Sequence, residues 1–357
     1  MEHNMGYWQT IQQSGRPLFL PDIGTYFNQD ITQAKTLIDE LVAAGVTTIK
    51  GEILNNANIC LQANLSGNER YWGQSSNTFK EENYRQLIER KVVSLEAYET
   101  LFSYAQSQGV DVMVSVYDFE GADFAKKIGV KAIKIASSNI THQPLIEYIS
   151  ALDIPVIIDT GHASMEEIAR AHQWAMDASN QSVDLLIEHS PKGPPAPVSE
   201  QNLRFMQTLG SAFNVYYGLS DHHSGDEMLL AATAMGATVL EKGVCANQMG
   251  DEQDGGHAIK ISEVQQVLEK IKLIADAMGS GQRHLPRERA KYISRMGMVA
   301  KTDLNAGDGL TLETVHFAFP ALGIEAEHWS QVANCRLKHG LKAGQVIDWA
   351  DILFKGE

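Results

Sequence analysis

Hydrophobic and polar positions along the chain follow a repeated two-part rhythm. Short β-branched or Leu-rich runs end in polar groups, and each is followed by apolar residues at helical spacing. The stretch Val215 to Gly243 shows it best. Its first run, Val215 to Leu219, stops at Ser220, Asp221, His222 and His223. Ser224 with Glu227 three residues on has the spacing of a capping box. Met228 to Met235 is apolar on nearly every side, which predicts a buried helix. A second strand, Ala237 to Leu240, then ends in Glu241 and Lys242. Strand, helix and parallel strand with polar groups at both exits is where α/β folds place their chemistry.

The same unit recurs from the start of the chain. Pro17–Ile23 reads as a first strand carrying Asp22; Asp30 caps a helix that buries Ala34, Leu37, Ile38 and Leu41 and closes at Gly45. Val46–Lys50 is the second strand, with Lys50 and Glu52 at its exit. Asn55 to Lys91 is polar and too long for an ordinary connector, so it is expected to cover something. Leu95–Gln108 is a helix with Tyr98, Leu101, Phe102 and Ala105 inward, and Val110–Val116 is a third strand with Ser115 near its end. Further strands are predicted at Lys131–Ile135, Ile154–Ile158 and Val183–Ile187, and helices at Ala122–Ile128, Leu145–Ala151 and Gln201–Leu209. Ser164 and Glu167 form a second capping box, and an amphipathic helix from Ile261 to Ile271 closes the series. Eight strand–helix units predict a (β/α)8 TIM barrel over residues 1–278. A polar linker at 279–295 and a small β-rich domain at 296–357, with similar turns DLNAGDGL and HGLKAGQVI, complete the expected organisation.

Composition narrows the function classes. The 357 residues are 44% hydrophobic and 20% charged, which suits a packed core and argues against disorder. A formal net charge of −15 offers no basic footprint for nucleic acid and would be repelled by anionic lipid. No apolar run approaches the ~20 residues of a membrane span, and MEHNMGYWQT lacks the features of a signal peptide. Cys60, Cys245 and Cys335 are scattered and odd in number, as expected of reduced thiols in a cytoplasm.

In a barrel the polar strand exits converge on one mouth. Lys50 and Lys134 with Ser115, Ser137 and Ser220, and the amides at Gly161, would suit a phosphate; the alternative is that Asp22 and Glu52 neutralise both lysines as structural pairs. His222 is a candidate metal ligand, while alternation turns His223 the other way. His257, on the loop after the eighth strand, reaches either the mouth or solvent, and Asp254 on that loop is a candidate base or substrate acceptor. His162 and His189 read as structural groups. No Walker loop, GxGxxG, CxxC or Ser-His-Asp order stands out.

The segments KIASSNITHQPLIEYI, VIIDTGHASMEEI, GLSDHH and GATVLEKG, in this order, resemble the sialic acid synthase family, which condenses phosphoenolpyruvate with an amino-sugar aldehyde to give nonulosonic acids. The tail resembles that family's antifreeze-like SAF domain. The resemblance implies catalytic roles for Lys50, Glu52, Lys134 and Asp254, and substrate contacts from Asp22, Ser115, Ser137, Asn139, Asp159, Lys192 and Ser220. It also implies a divalent metal, Mn²⁺ or Mg²⁺, on His222, and a homodimer whose SAF domain caps the partner's site; the partner of His222 would be Glu52 or Asp22 from neighbouring strands or His257 from its loop, and the alternative is that the metal is lost and His222 serves as an acid, base or phosphate donor. Departures fall mostly on the sugar side and at the metal. The family's second metal histidine falls on Gly243, its glutamate after the KIxSx segment on Asn139, and its STGM serine on Asp159. Asp22 and Glu52 replace Glu and Gln, Lys192 and Pro194 replace Asn and Tyr, and Phe319 replaces the SAF arginine. The expected function is therefore phosphoenolpyruvate-dependent condensation. A barrel enzyme with other carbon–carbon or sugar chemistry, or a non-catalytic sugar-binding protein, is the alternative.

Overall fold

A computed structural model describes residues 6–24, 26–73, 75–191, 195–282 and 294–354. The chain divides into two compact units at Gly279/Ser280. In the first, eight parallel strands close into a barrel: β1 (Leu18–Gly24), β2 (Thr48–Ile53), β3 (Asp111–Val116), β4 (Ala132–Ile135), β5 (Val156–Asp159), β6 (Leu185–His189), β7 (Tyr216–Asp221) and β8 (Val239–Cys245). Each pairs with its neighbour, and β1 pairs back onto β8 from Leu18↔Val239 to Asp22↔Gly243. The predicted (β/α)8 class is the observed one.

Local chemistry accounts for most helix starts. Asp30 accepts from the amides of Thr32 and Gln33 to begin Ile31–Ala43, and Ser164 with Glu167 makes the full capping box of Met165–Ala178. The Ser224–Glu227 box does not form. That helix begins at Glu227 behind Asp226, with no side-chain cap, because Gly225 at φ 112° holds the preceding turn. Nor is the helix wholly buried: Leu229, Ala232 and Thr233 face the core, while Met228 and Leu230 are half-covered. The segment 55–91 is also more ordered than its polarity suggests, carrying an antiparallel hairpin of Asn68–Gly73 with Thr78–Asn83 and a helix at Tyr84–Glu89. Its alternating Tyr71, Trp72 and Phe79 were too sparse to read as strands.

Strand alternation sorts side chains into two populations. Ile49, Val112, Val114, Ile133, Ile158, Ile187 and Leu240 point outward into one large core beneath the helices. Inside, the lower layer is apolar: Leu20, Met113, Ala132, Ile157, Leu186 and Val239 pack beneath Trp8 of the N-terminal helix Tyr7–Gln13. Trp8 is fully buried, and its indole N–H donates to the carbonyl of Asp184 at 2.9 Å, so it plugs the barrel floor with no lost hydrogen bond. The charged side chains that line the mouth lie above that plug.

The second unit has its own core of Met298, Leu310, Val315, Ile324, Val332, Leu337, Ile347 and Ile352. Two short antiparallel pairs, Gly297–Ala300 with Val315–Ala318 and Arg336–Leu337 with Ile352–Leu353, frame it. The two similar turns pair with each other: Leu304 and Leu341 exchange backbone hydrogen bonds of 2.8 and 2.9 Å. Among the described residues no helix is long and apolar enough to cross a membrane. Most of the expected linker lies outside the described residues.

Because Trp8 seals the floor, Trp8→Ala should open a cavity and cost about 3–5 kcal/mol. Chemical denaturation should show the lower stability, with the circular-dichroism spectrum of the folded state unchanged.

Candidate active site at the barrel mouth

Above the plug, the inward positions of seven strands become polar or charged and line a cavity of about 190 Å³. Asp22, Lys50, Glu52, Ser115, Lys134, Ser137, Asp159, Ser220, His222, Asp254 and His257 all border it. Asn139 does not. It lines a neighbouring cavity of about 590 Å³ that shares Glu52, Tyr117, Ser138 and Asp254 with the mouth. Lys192 lies outside the described residues, as does Pro194.

Both lysines are buried and engaged. Lys50 Nζ meets Asp22 at 2.5 Å, with Glu241 at 3.5 Å and Glu52 at 3.8 Å. Lys134 Nζ sits among three carboxylates, Glu241 at 2.6 Å and Asp159 and Glu188 each at 2.8 Å, and reaches Ser220 Oγ at 3.3 Å. The pairing of Lys50 with Asp22 and Glu52 is the structural alternative the sequence allowed. Lys134 has different partners, two of them, Glu188 and Glu241, outside the candidate site set. Alternation along β6 and β8 was the signal available for both, since each stands one step above an inward apolar residue.

Two lysines thus face five carboxylates, and the surplus charge appears in the proton affinities. Burial raises Glu188 to about 8, against the pull of Lys134 and with help from Glu241 and Asp159. Burial pushes Asp159 and Glu241 up, but the charge and hydrogen bond of Lys134, joined by the Gly161 amide at Asp159 and by Lys50 at Glu241, hold both below their ordinary values. Burial likewise lifts Asp22 to about 6 despite Lys50. Both lysines are raised, because these carboxylates outweigh desolvation. Of the cage carboxyls Glu188 thus holds a proton most readily, and its Oε1 has no hydrogen-bond partner among the described residues. Of the carboxylates, Asp159, Glu188 and Glu241 lie close enough together to hold a cation, and Lys134 supplies one.

The opposite wall is made of imidazoles. The rings of His222 and His257 lie 4.8 Å apart between centroids. His222 Nδ1 donates to the carbonyl of Pro191 at 3.2 Å, an outer contact that orients the ring and leaves Nε2 as the nitrogen for any further partner. His257 is buried, its Nδ1 has no partner among the described residues, and its pKa falls well below the ordinary value through burial and the nearby His222, Lys242 and Lys50. Both rings suit a divalent cation. His223 is turned away as alternation predicted, with Nε2 3.7 Å from Glu227. His189 is structural, bonded through Nε2 to the carbonyl of Gln201 at 2.7 Å. Gly161 (φ 45°) brings the exit of β5 against Ser137, so that a Cβ there would lie 2.4 Å from Ser137 Cβ.

Residues 37–283 match the NeuB family and residues 295–353 the SAF domain. The chain is 27% identical to an N,N'-diacetyllegionaminic acid synthase of Campylobacter jejuni, over 88% of this chain and 94% of that one. It is 24% identical to a pseudaminic acid synthase of Helicobacter pylori, over 94% and 98%. Among solved structures, the fold is similar to a putative spore coat polysaccharide biosynthesis protein E of Chromobacterium violaceum, with a TM-score of 0.73 and 24% identity over 95% of this chain and 100% of that one.

A raised native pKa adds stability that is complete below the unfolded value, near 4.5 for Glu188, and is lost as pH rises through about 8. Thermal unfolding midpoints should therefore decline over that window. Glu188→Gln, which keeps the shape and removes the charge, should flatten the decline and melt a few degrees above the parent at pH 9. Parallel midpoint–pH curves for the two proteins would contradict the assignment.

Proposed function

The chain belongs to the NeuB family, and we propose that it condenses phosphoenolpyruvate with an amino-sugar-type aldehyde to give a nonulosonic acid. The observation that carries the reading is the convergence of Lys50, Lys134, Ser137 and Ser220 on one closed-ended mouth beside two imidazoles. At about 190 Å³ the mouth is smaller than the ~300–1,000 Å³ of a typical ligand site, which fits a compact donor. The adjoining 590 Å³ cavity gives the longer acceptor its room, with Asn139 on its wall and Glu52 and Asp254 at the junction.

In this reading Lys50 and Lys134 hold the donor's phosphate and carboxylate, exchanging protein carboxylates for substrate oxygens, while Ser115, Ser137 and Ser220 supply hydroxyl donors. C3 of phosphoenolpyruvate bonds to the aldehyde carbon, whose oxygen takes a proton. Water adds at C2, and the C–O bond to phosphate breaks, releasing inorganic phosphate and the 2-keto-3-deoxy acid. Asp254, on the wall of the mouth, is placed to accept a proton from water or a substrate hydroxyl. A divalent ion, Mn²⁺ or Mg²⁺, on His222 and His257 would polarise the aldehyde oxygen and offset the carboxylate surplus. Asp22 and Asp159 complete the pocket as partners of the lysines, and Lys192 belongs to the substrate loop by its sequence position alone. The assembly that fits the family is a homodimer whose SAF domain caps the partner's mouth.

Calorimetric titration of phosphoenolpyruvate in Mn²⁺ tests the core of this reading. Ser137→Ala and Lys50→Met should each weaken binding by about 10–100-fold, the cost of roughly 1.5–3 kcal/mol for a lost charged contact. Unchanged affinity in both would remove the donor from this mouth. A chain ending before Met296 should keep a folded barrel yet lose aldehyde turnover; normal turnover would separate the SAF domain from the site.

A further inference from the structure

Gly243 stands inside β8, opposite Asp22, with its missing side chain directed at the mouth. A Cβ built there would lie 2.6 Å from Tyr26 Oη and 3.1 Å from His257 Nε2. The space that a side chain at 243 would need is therefore taken by a tyrosine hydroxyl and an imidazole from the following loop. We propose that His257 has moved from loop to ligand in the place Gly243 vacates, and that the insert after β2, through Glu252, is its positioning element, so that metal binding and closure of the insert are linked. This rests on the metal reading above and deepens it.

The loop carrying His257 has little regular structure of its own, but it is bolted to that insert at two successive residues. Asp251 accepts from the amides of Ser75 and Ser76 at 2.9 and 2.8 Å and pairs with Lys80 at 3.2 Å. It approaches the hairpin so closely that a Cβ on Gly73 would lie 2.7 Å from its carboxyl carbon. Glu252, itself buried, meets Lys91 at 2.7 Å and Arg90 at 3.0 Å, and Arg90 in turn holds Glu82 of the hairpin at 3.1 Å. Two residues further on, Tyr26 Oη donates to the carbonyl of Asp254 at 3.3 Å. A ligand on a barrel strand is held by the sheet. His257 lies between two anchors, this clamp before it and the pairing of Ile259 and Lys260 with the end of β8 after it, and an imidazole free to leave the site binds metal weakly, as the loss of outer-shell support generally shows. Linkage is reciprocal: whatever the clamp adds to metal affinity, metal returns to the order of the insert.

Mn²⁺ titrations of the full-length protein followed by electron paramagnetic resonance, with hydrogen exchange over residues 68–83, test both parts. His222→Ala and His257→Ala should abolish tight Mn²⁺ binding, and His223→Ala should leave it unchanged. Glu252→Gln and, independently, Asp251→Asn should weaken Mn²⁺ about 10-fold or more. Mn²⁺ should slow exchange in the hairpin of the parent protein and not of His257→Ala. Full affinity in His257→Ala overturns the ligand exchange, even if His222 still binds metal. Full affinity in both clamp variants, or hairpin exchange indifferent to Mn²⁺, overturns the linkage. Tight binding that needs both histidines in a protein without condensation activity would instead uphold this inference and reject the proposed reaction.

Discussion

The arrangement on which the site depends is the ammonium of Lys134 held among Asp159, Glu188 and Glu241 inside a water-poor barrel. Burying one lysine beside three carboxylates is costly, since each ion loses its hydration and only one attraction partner is shared. The cost is lowered where the protein can lower it, by leaving a proton on Glu188 and by letting Lys50 share Glu241. What remains is a preorganised acidic cage that a second positive group would relieve. Any anion that enters it must take lysine contacts from protein carboxylates.

The surrounding architecture serves that cage. Below, the apolar layer sealed by Trp8 keeps water from the underside and fixes the strands in register. Above, the exits of β5 and β4 are drawn together at Gly161 and Ser137. The insert after β2 and the loop after β8 cross-link through charges at the rim, so the two longest departures from the barrel are held to each other. Surface pairs of this kind contribute little singly, but here Glu252 and Lys91 are both buried, and losing one leaves the other uncompensated.

The departures from the family's residue pattern are coupled in space. Gly243 and His257 fit together, since the first leaves the room the second occupies. Asp159 stands where Lys134 can take it as a partner. Asn139, by contrast, lines the adjoining cavity, where its amide reaches the carbonyl of Val116 at 3.4 Å.

Several features were legible in the chain alone. Period-two runs ending in polar groups and helices opened by Asp30 or by Ser164 with Glu167 are local, and local physics places them. The barrel followed from repeating that unit eight times, and the polar exits of its strands could only converge. Other features escaped because they depend on contacts far apart in sequence. The Ser224 cap failed when Gly225 set the turn, and the hairpin at 68–83 is held in part by Asp251, far along the chain. Which carboxylates surround Lys134 was decided by the stagger of β5, β6, β7 and β8 once β1 closed onto β8, a register that no single strand encodes. Whether His257 faced solvent or the mouth turned on the void at Gly243 and on the clamp at Glu252. Alternation along the chain determined which residues point inward; only closure of the barrel decided which of them meet.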